Sequence, residues 1–381
     1  MQKLCIISVI SDVYTDQRVL RTVEALKELN YECKVIGRKT GKTQKFKGNF
    51  DFTLNHLNPF FKKGVGMYVM FNVLLFFRLL NYALQFKKNR MLLYVNDLDT
   101  LLPNYIISKL FGLPIVYDSH ELFTEVPELQ NRKFKKKIWE IVEKSIVPKL
   151  PFAITVNDSI AEWYNKKYRV PFFVVRNISK IPVDSPIKSR SELGLPEDKF
   201  IIILQGTGIN VQRGAEELVE AMQYLDTSYL LLIIGGGDVI EKLKRMVEEL
   251  KLKEKVWIKN RMPADDLYHY TYNASIGVSI DKPNNLNYLY SLPNKIFSYI
   301  HAHIPILASR LPEIEKIILK YNIGAFIENH NPQHIAMRIK EMMYSDQYPI
   351  WKQNTFVAAE ELCWKKEKEV LKTILRKYIN P

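Results

Sequence analysis

Short apolar runs alternate with longer stretches in which apolar residues return every three or four positions, and the alternation covers almost the whole chain. In the first half the short runs are Leu4–Val9, Glu32–Ile36, Phe52–His56, Leu92–Val95, Ile115–Tyr117, Ala153–Val156 and Phe172–Val175, each the length of a strand. Between them Asp16–Leu29, Thr100–Phe111, Lys135–Ile146 and Ser159–Tyr168 carry the helical period, the last with Asn157 or Asp158 as its cap. In the second half strands are predicted at Phe200–Leu204, Leu230–Ile234, Val256–Ile258, Ser275–Ser279, Ile306–Ala308 and Ala325–Ile327. Helices are predicted at Ala215–Tyr224, Val239–Leu250, Ala264–Tyr270 and Gln333–Tyr344. Such alternation calls for an α/β fold, with mostly parallel sheets covered by helices on both faces. The Pro- and Ser-rich stretch around Ile178–Pro196 interrupts the period and reads as a linker. The predicted organisation is a domain over 1–180, a linker over 181–196, a second domain over 197–350 and one long helix over 351–381.

The stretch Ser291–Ser309 carries the most chemistry. The apolar run Ala274–Ile280 precedes it, a polar loop follows, and Pro293 stands where a helix begins, because the N–H that proline lacks would be unpaired in a first turn. The helix is predicted from Asn294 to Ala302 and a buried strand from Pro305 to Ala308. A loop feeding a helix N-terminus offers free amides and a positive dipole end, which suits a phosphate, and Asn294 and Lys295 lie in that first turn. Gly206, Thr207 and Gly208 follow the strand Phe200–Leu204, where glycine lets the backbone approach a ligand; Arg213 follows and can grip a diphosphate with its planar fork. Gly235-Gly236-Gly237-Asp238 makes a tight turn after the next strand, and Asn260 and Arg261 follow the one after, placed to flank a base.

In the first half Asp12, Asp16 and Arg18 follow the first strand, and Asp16 is equally placed to cap a helix. Asp97-Leu98-Asp99 imitates a metal-binding Asp-x-Asp, yet a carboxylate here also serves as the cap of the helix from Thr100. Tyr117-Asp-Ser-His120-Glu121 begins in a strand. His301 and His303 stand two apart at a helix end, lack the i,i+4 geometry of a helical zinc pair and have no third ligand nearby, so no metal is expected.

The string Pro293-Asn-Lys-Ile-Phe-Ser-Tyr299, followed by Pro305-Ile-Leu-Ala-Ser309, resembles the donor-site helix of retaining glycosyltransferases of family 4. Tyr117-Asp-Ser-His-Glu121 is similar to that family's Tyr-Asp-x-His-Glu string, and the resemblance covers essentially the whole chain. It implies the GT-B architecture: two Rossmann-like domains with an interdomain cleft, and a C-terminal helix that crosses back onto the first domain. It implies a nucleotide diphosphate sugar held by Gly206, Thr207, Gly208, Arg213, Gly236, Asn260, Arg261, Tyr290, Ser291, Leu292, Pro293, Asn294, Lys295 and Ser298. Acceptor contacts would come from Asp12, Asp16, Arg18, Asp97, His120 and Glu121, and catalytic roles fall to His120, Arg213 and Lys295. Arg213-Gly214 matches the family's basic residue before a glycine, whereas the family's other arginine falls on Thr207 and its two donor-helix glutamates on Tyr290 and Ser298. The implied reaction is same-face attack with retention, in which the leaving phosphate takes the acceptor's proton; neither cofactor nor metal is called for. The departures at 207 and 298 leave a non-catalytic relative open, and Asp97, His120 and Glu121 leave open a sugar-nucleotide epimerase on the same architecture.

Charge adds a direction. The net charge is +14; residues 1–180 hold 29 Lys and Arg against 16 Asp and Glu, and residues 181–381 hold 26 against 25. The excess gathers in Arg38–Lys47, Lys62-Lys63, Lys87–Arg90 and Arg132–Lys137. With no nucleic-acid module in the chain, the expected partner of this basic half is an anionic membrane surface rather than nucleic acid. Val65–Phe86 is long and apolar, but Asn72, Arg78, Asn81 and Gln85 interrupt it and argue against a span. It reads either as a core helix of the first domain or as a helix partly dipped into the membrane interface, two readings that are compatible if one face lies in each environment. Met1–Ile10 reads as a strand without signal-peptide features, and Cys5, Cys33 and Cys363 read as free thiols. The expectation is a cytoplasmic protein, peripheral at the inner face of the plasma membrane. Its acceptor would be a glycan or a polyisoprenyl-diphosphate-linked glycan of surface polysaccharide or glycoconjugate assembly.

Overall fold

Buried strands and amphipathic helices alternate as the hydrophobic pattern requires, in a computed structural model that describes residues 3–14, 16–38, 51–86, 91–130, 132–180 and 186–379. Most of the basic segment after Arg38, all of Lys87–Arg90 and the first five residues of the predicted linker lie outside the described residues. The chain forms two units, one from 1–177 with 365–381, the other from 178–364.

The first unit is built on seven strands: β1 (Lys3–Ser8), β2 (Tyr31–Arg38), β3 (Thr53–Leu57), β4 (Met91–Asn96), β5 (Ile115–Ser119), β6 (Ala153–Thr155) and β7 (Phe172–Val174). They pair in the order β3-β2-β1-β4-β5-β6-β7, and every pair is parallel. The helices are α1 (Gln17–Glu28), α2 (Gly64–Gln85), α3 (Leu101–Phe111), α4 (Pro127–Gln130), α5 (Lys133–Ile146) and α6 (Asp158–Tyr168). The central strands are near-continuous apolar runs because helices cover both faces: Ile6, Ile7, Leu93, Tyr94 and Val95 are all inaccessible. Asn157, rather than Asp158, caps α6, its side chain accepting from the Ile160 N–H at 2.9 Å.

The second unit has six strands, β8 (Phe200–Gly206), β9 (Tyr229–Gly235), β10 (Val256–Asn260), β11 (Ile276–Ser279), β12 (Ile306–Ser309) and β13 (Gly324–Ile327), again all parallel, in the order β10-β9-β8-β11-β12-β13. Its helices are α7 (Ala215–Ala221), α8 (Ile240–Glu249), α9 (Ala264–Tyr272), α10 (Leu286–Leu289), α11 (Asn294–His301), α12 (Pro312–Tyr321), α13 (Pro332–Met343) and α14 (Tyr348–Glu361). The period-two rule of strands is explicit in β8: Ile202 and Leu204 pack with α7, α8 and α13, while Ile201 and Ile203 pack with α11, α12 and α14.

Two features of the predicted organisation change. The second unit begins at Ile178, so the Pro- and Ser-rich stretch belongs to it; Ile178 and Leu195 are buried in its core. The C-terminal region is two helices, not one. It breaks after Glu361, because Leu362 is buried in the second unit's core and its carbonyl accepts from His301 Nε2 at 2.7 Å. The helix α14 stays with the second unit, and α15 (Trp364–Ile379) joins the first from Lys365 onward. Lys368 Nζ reaches Glu24 at 2.9 Å and Glu28 at 2.5 Å, Lys372 reaches Glu28 at 2.8 Å, and Glu367 accepts from the Arg176 N–H at 2.7 Å.

Candidate functional site

In the second sheet the chain moves from β8 to β9 on one side, and β11 pairs with β8 on the other. Loops leaving the carboxyl ends on the two sides of such a reversal diverge and leave a crevice, the usual ligand site of a doubly wound sheet. Here the flanking segments are the glycine-rich loop after β8 and the segment from β11 to α11, the two stretches that sequence reasoning selected.

Glycine is required where these segments meet. Gly214 has φ +75°, and a Cβ there would lie 2.4 Å from the Ile280 carbonyl oxygen, so no other residue lets the β8 loop pass this close to the end of β11. Gly237 packs on the same loop, where a Cβ would stand 1.9 Å from the Ile209 carbonyl oxygen. The Ile209 N–H donates to the Gly236 carbonyl at 2.9 Å and the Val211 N–H to Asp238 at 2.9 Å, tying the two glycine loops together.

The charged centre is Asp281, two residues beyond β11 and fully buried. It is 3.2 Å from Arg213 Nη1 and 3.3 Å from Lys295 Nζ, and it accepts from Ser279 Oγ at 3.3 Å. Burial pushes the Asp281 carboxyl up, but Lys295 and Arg213 outweigh it and hold the group below the usual carboxylate range. Burial lowers Lys295, Asp281 opposes that and Arg213 adds to it, leaving the ammonium below its ordinary value. The Arg213 guanidinium lies 4.5 Å from the centre of the Tyr288 ring, and its Nε has no hydrogen-bond partner. Two cations thus share one carboxylate, which leaves a net positive charge beside the crevice. At α11, Pro293 provides no side-chain cap, so the amides of Asn294 and Lys295 have no partner within the helix.

The remaining predicted donor residues divide. Gly206 ends β8, Thr207 is exposed and Gly208 half-buried beside it. Asn260 is exposed at the end of β10, while Arg261 reaches back across Gly236 and donates from Nη2 to the Thr207 carbonyl. A guanidinium therefore stands at the loop position where the sequence itself supplies only a threonine. Ser291 Oγ donates to the Tyr288 carbonyl at 2.8 Å, Tyr290 and Leu292 are half-buried around it, and Ser298 Oγ donates to the Asn294 carbonyl at 3.3 Å, within its own helix.

The first unit gathers a second cluster at its own reversal point, between β1 and β4. Arg18 is only 5% exposed and grips the inaccessible Asp118 with two bonds, Nη2 at 2.7 Å and Nε at 3.0 Å, while Nη1 donates to the Val175 carbonyl at 2.6 Å. Tyr94 donates to the same carboxylate at 2.8 Å. His120 lies between two carboxylates, with Nδ1 3.1 Å from Asp97 and Nε2 3.7 Å from Asp118, and its N–H donates to Asp97 at 2.8 Å. Burial disfavours charge on His120, yet Asp97 and Asp118 more than reverse this and raise it well above an ordinary imidazole. Burial lifts Asp118 too, but Arg18 and His120 bring it below the usual range.

Several of these residues have structural roles. Arg18 faces inward, its three guanidinium nitrogens bonded to Asp118 and Val175. Asp16 is the cap of α1, accepting from the Val19 N–H at 3.2 Å and from Ser11 Oγ at 2.5 Å; Asp12 accepts from the Tyr14 N–H at 3.2 Å. Neither Asp97 nor Asp99 caps α3, whose cap residue Thr100 makes no capping bond, its Oγ1 donating back to the Asn96 carbonyl at 2.9 Å; Asp99 is buried, and burial followed by the charge of Asp97 raises its carboxyl well above the usual range. Glu121 is half-buried beside His120. Among the described residues no cluster suits a metal, and His301 and His303 are accounted for by Leu362 and by a stack on Phe356 with ring centres 3.7 Å apart. Sequence reasoning missed Asp281 and the partner role of Asp118. The available signal was a lone aspartate directly after an apolar strand, in both cases in a segment already selected for its basic residues.

Residues 187–355 match the model of the family described as glycosyl transferases group 1. No curated protein matches the chain. Among solved structures it is similar to sucrose-phosphate synthase from Thermosynechococcus elongatus, at 15% identity and TM-score 0.81 over 100% of both chains. It is also similar to Anabaena Alr3699/HepE in complex with UDP and glucose, at 13% identity and TM-score 0.76 over 99% of this chain and 100% of that one. A third is an α,α-trehalose-phosphate synthase (UDP-forming) from Burkholderia vietnamiensis, at 10% identity and TM-score 0.68 over 99% of this chain and 100% of that one. These likenesses establish the fold, two Rossmann-like units of the GT-B kind. The family match lies within the second unit.

Proposed function

We propose that the protein is a retaining glycosyltransferase of family 4 type, moving a hexose or related sugar from a nucleotide diphosphate sugar to a glycan or polyisoprenyl-diphosphate-linked acceptor. The observation that carries this reading is the pairing of Arg213 and Lys295 on Asp281, beside the uncapped start of α11. As the sugar–oxygen bond breaks, negative charge grows on the departing diphosphate. Cations already fixed by a buried carboxylate need no reorganisation to receive it, which favours the transition state over the ground state. In this reading attack comes from the face the diphosphate leaves, a phosphate oxygen takes the acceptor's proton, and the charge is met without a metal ion. His120 enters as a hydrogen-bond donor rather than a base, because Asp97 and Asp118 hold its proton. The UDP complex of the Anabaena structure makes a uridine diphosphate sugar the first donor to test. The setting we propose is the cytoplasm, in surface polysaccharide or glycoconjugate assembly.

The test is thermal stabilisation by a panel of nucleoside diphosphates and their sugars, with and without a chelator. The expected result is a shift selective for one base and indifferent to chelator. A base-selective shift accompanied by conversion of the sugar nucleotide without any acceptor would turn the reading to an epimerase; no shift with any member would overturn the donor site.

A further inference from the structure

The helices α2, α3 and α5 cover one face of the first sheet. Each connects to a strand further along the order from β3 to β6, and right-handed crossovers place such helices on the same side, opposite α1. Direct contact confirms the neighbourhood: the rings of Tyr68 on α2 and Trp139 on α5 meet edge to face at 5.5 Å.

The outer surface of these helices has the wrong polarity for water. On α2 the inward ridge is Met67, Phe71, Leu75 and Leu79, and the outward ridge at the same spacing is Val65, Val69, Val73 and Phe77, the last 61% exposed. A helix lying between core and water should be polar on its second ridge. On α3 Asn104 and Ser108 are buried and hydrogen-bonded beside Leu101 and Ile107, while the apolar Leu102, Ile106 and Leu110 face out. On α5, Phe134 (77% exposed), Ile138 and Ile141 form the outward line, interleaved with Lys133, Lys137 and Lys144. Scattered exposed apolar residues are ordinary, but aligned ridges on three adjacent helices are not.

We infer that this three-helix face is a docking surface for an anionic lipid bilayer, which takes the apolar ridges into its interface while the basic residues meet its headgroups. Charge selects the occupant. Neither α2 nor α3 contains an acidic residue, and on α5 Glu143 is buried against Lys167 and Glu140 lies beside Lys144. Lys62 and Lys63 precede α2, Arg78 and Lys109 lie among the outward residues, and four lysines stand in the first five positions of α5. A second copy of the same face would bring like charges together, which disfavours self-association through it. The geometry also decides between lying on the membrane and crossing it. By length and composition α2 could span, but β3 and β4 at its two ends belong to one sheet, and its inner ridge is packed in the core. The inference rests on the first unit alone and stands apart from the proposed sugar transfer.

The experiment is co-sedimentation of the whole protein with vesicles of phosphatidylcholine alone and of phosphatidylcholine mixed with phosphatidylglycerol, beside Phe77→Ser, Phe134→Ser and the double variant. Both side chains lost are exposed, so folding is checked by unchanged thermal midpoints. The expected result is selective binding to the anionic vesicles, weakened by salt and reduced about tenfold or more in the double variant, as loss of two inserted phenyl groups requires. Wild-type protein that stays in solution with both vesicles would overturn the proposal, as would a folded double variant that binds as well as wild type. A lipid-independent dimer in sedimentation velocity that dissociates in the double variant would overturn it in favour of self-association.

Discussion

The two units place one inaccessible aspartate each beside the reversal point of a parallel sheet, and each aspartate grips an arginine. The outcomes differ in how the charge is closed. In the first unit Asp118 has Arg18 bidentate on one side and Tyr94 on another; the third nitrogen of Arg18 donates to Val175, and His120 is balanced by Asp97. In the second unit two cations, Arg213 and Lys295, share Asp281, and among the described residues no second carboxylate pairs with either. Charge is balanced in the first cluster and left positive in the second. An arginine after the first strand of a Rossmann-like sheet therefore says little until its carboxylate partners are counted.

The largest expected effect comes from opening the charge-balanced cluster. Arg18→Ala strands Asp118 in the core and should cost about 3–5 kcal/mol of stability, read as a lowered urea midpoint. A loss below about 1 kcal/mol would mean that water or a neighbour replaces the guanidinium. Next come Arg213→Ala and Lys295→Ala, each expected to weaken nucleotide binding by about 1–3 kcal/mol in calorimetry. Normal binding in both variants would remove the second cluster from the donor site. The pH response should sharpen the contrast. His120 is raised above the 6.5 of a free imidazole, so its contribution to stability is whole below that pH and is lost as pH climbs through the raised folded value. The wild-type midpoint should fall over that range and that of His120→Gln should not; parallel curves would show that His120 does not hold its proton. Smallest is Ser298→Glu, which supplies the ribose acceptor that the family resemblance expects and should strengthen nucleotide binding by about 0.5–1.5 kcal/mol. An unchanged affinity would mean that the ribose lies elsewhere.

The strands and most helices were legible because buried parallel strands and two-faced helices leave distinct periods in the sequence. The helix α12 is equally readable, with Pro312 in its first turn and Glu313 and Glu315 close behind. The break after Glu361 was not readable: the residues on both sides favour helix, and only burial of Leu362 and its bond to His301 end it. Arg213 and Lys295 could be found from their places after a strand and at a helix start. Asp281 could not be assigned to them, because a carboxylate that joins residues 68 positions back and 14 ahead leaves no local pattern. The inward turn of Arg18 had the same cause, its partner lying 100 residues away.

The return of the chain to the first unit at Lys365 has a consequence for the order of events during synthesis. The second unit is one unbroken stretch and can finish folding as soon as Trp364 is free of the ribosome. The first unit, although translated earlier, lacks the bonds that Lys368, Lys372 and Glu367 make to Glu24, Glu28 and Arg176 until α15 arrives. The unit translated earlier is thus completed after the later one, and a ribosome that stalls before Lys365 leaves a continuous second unit attached to an unfinished first one.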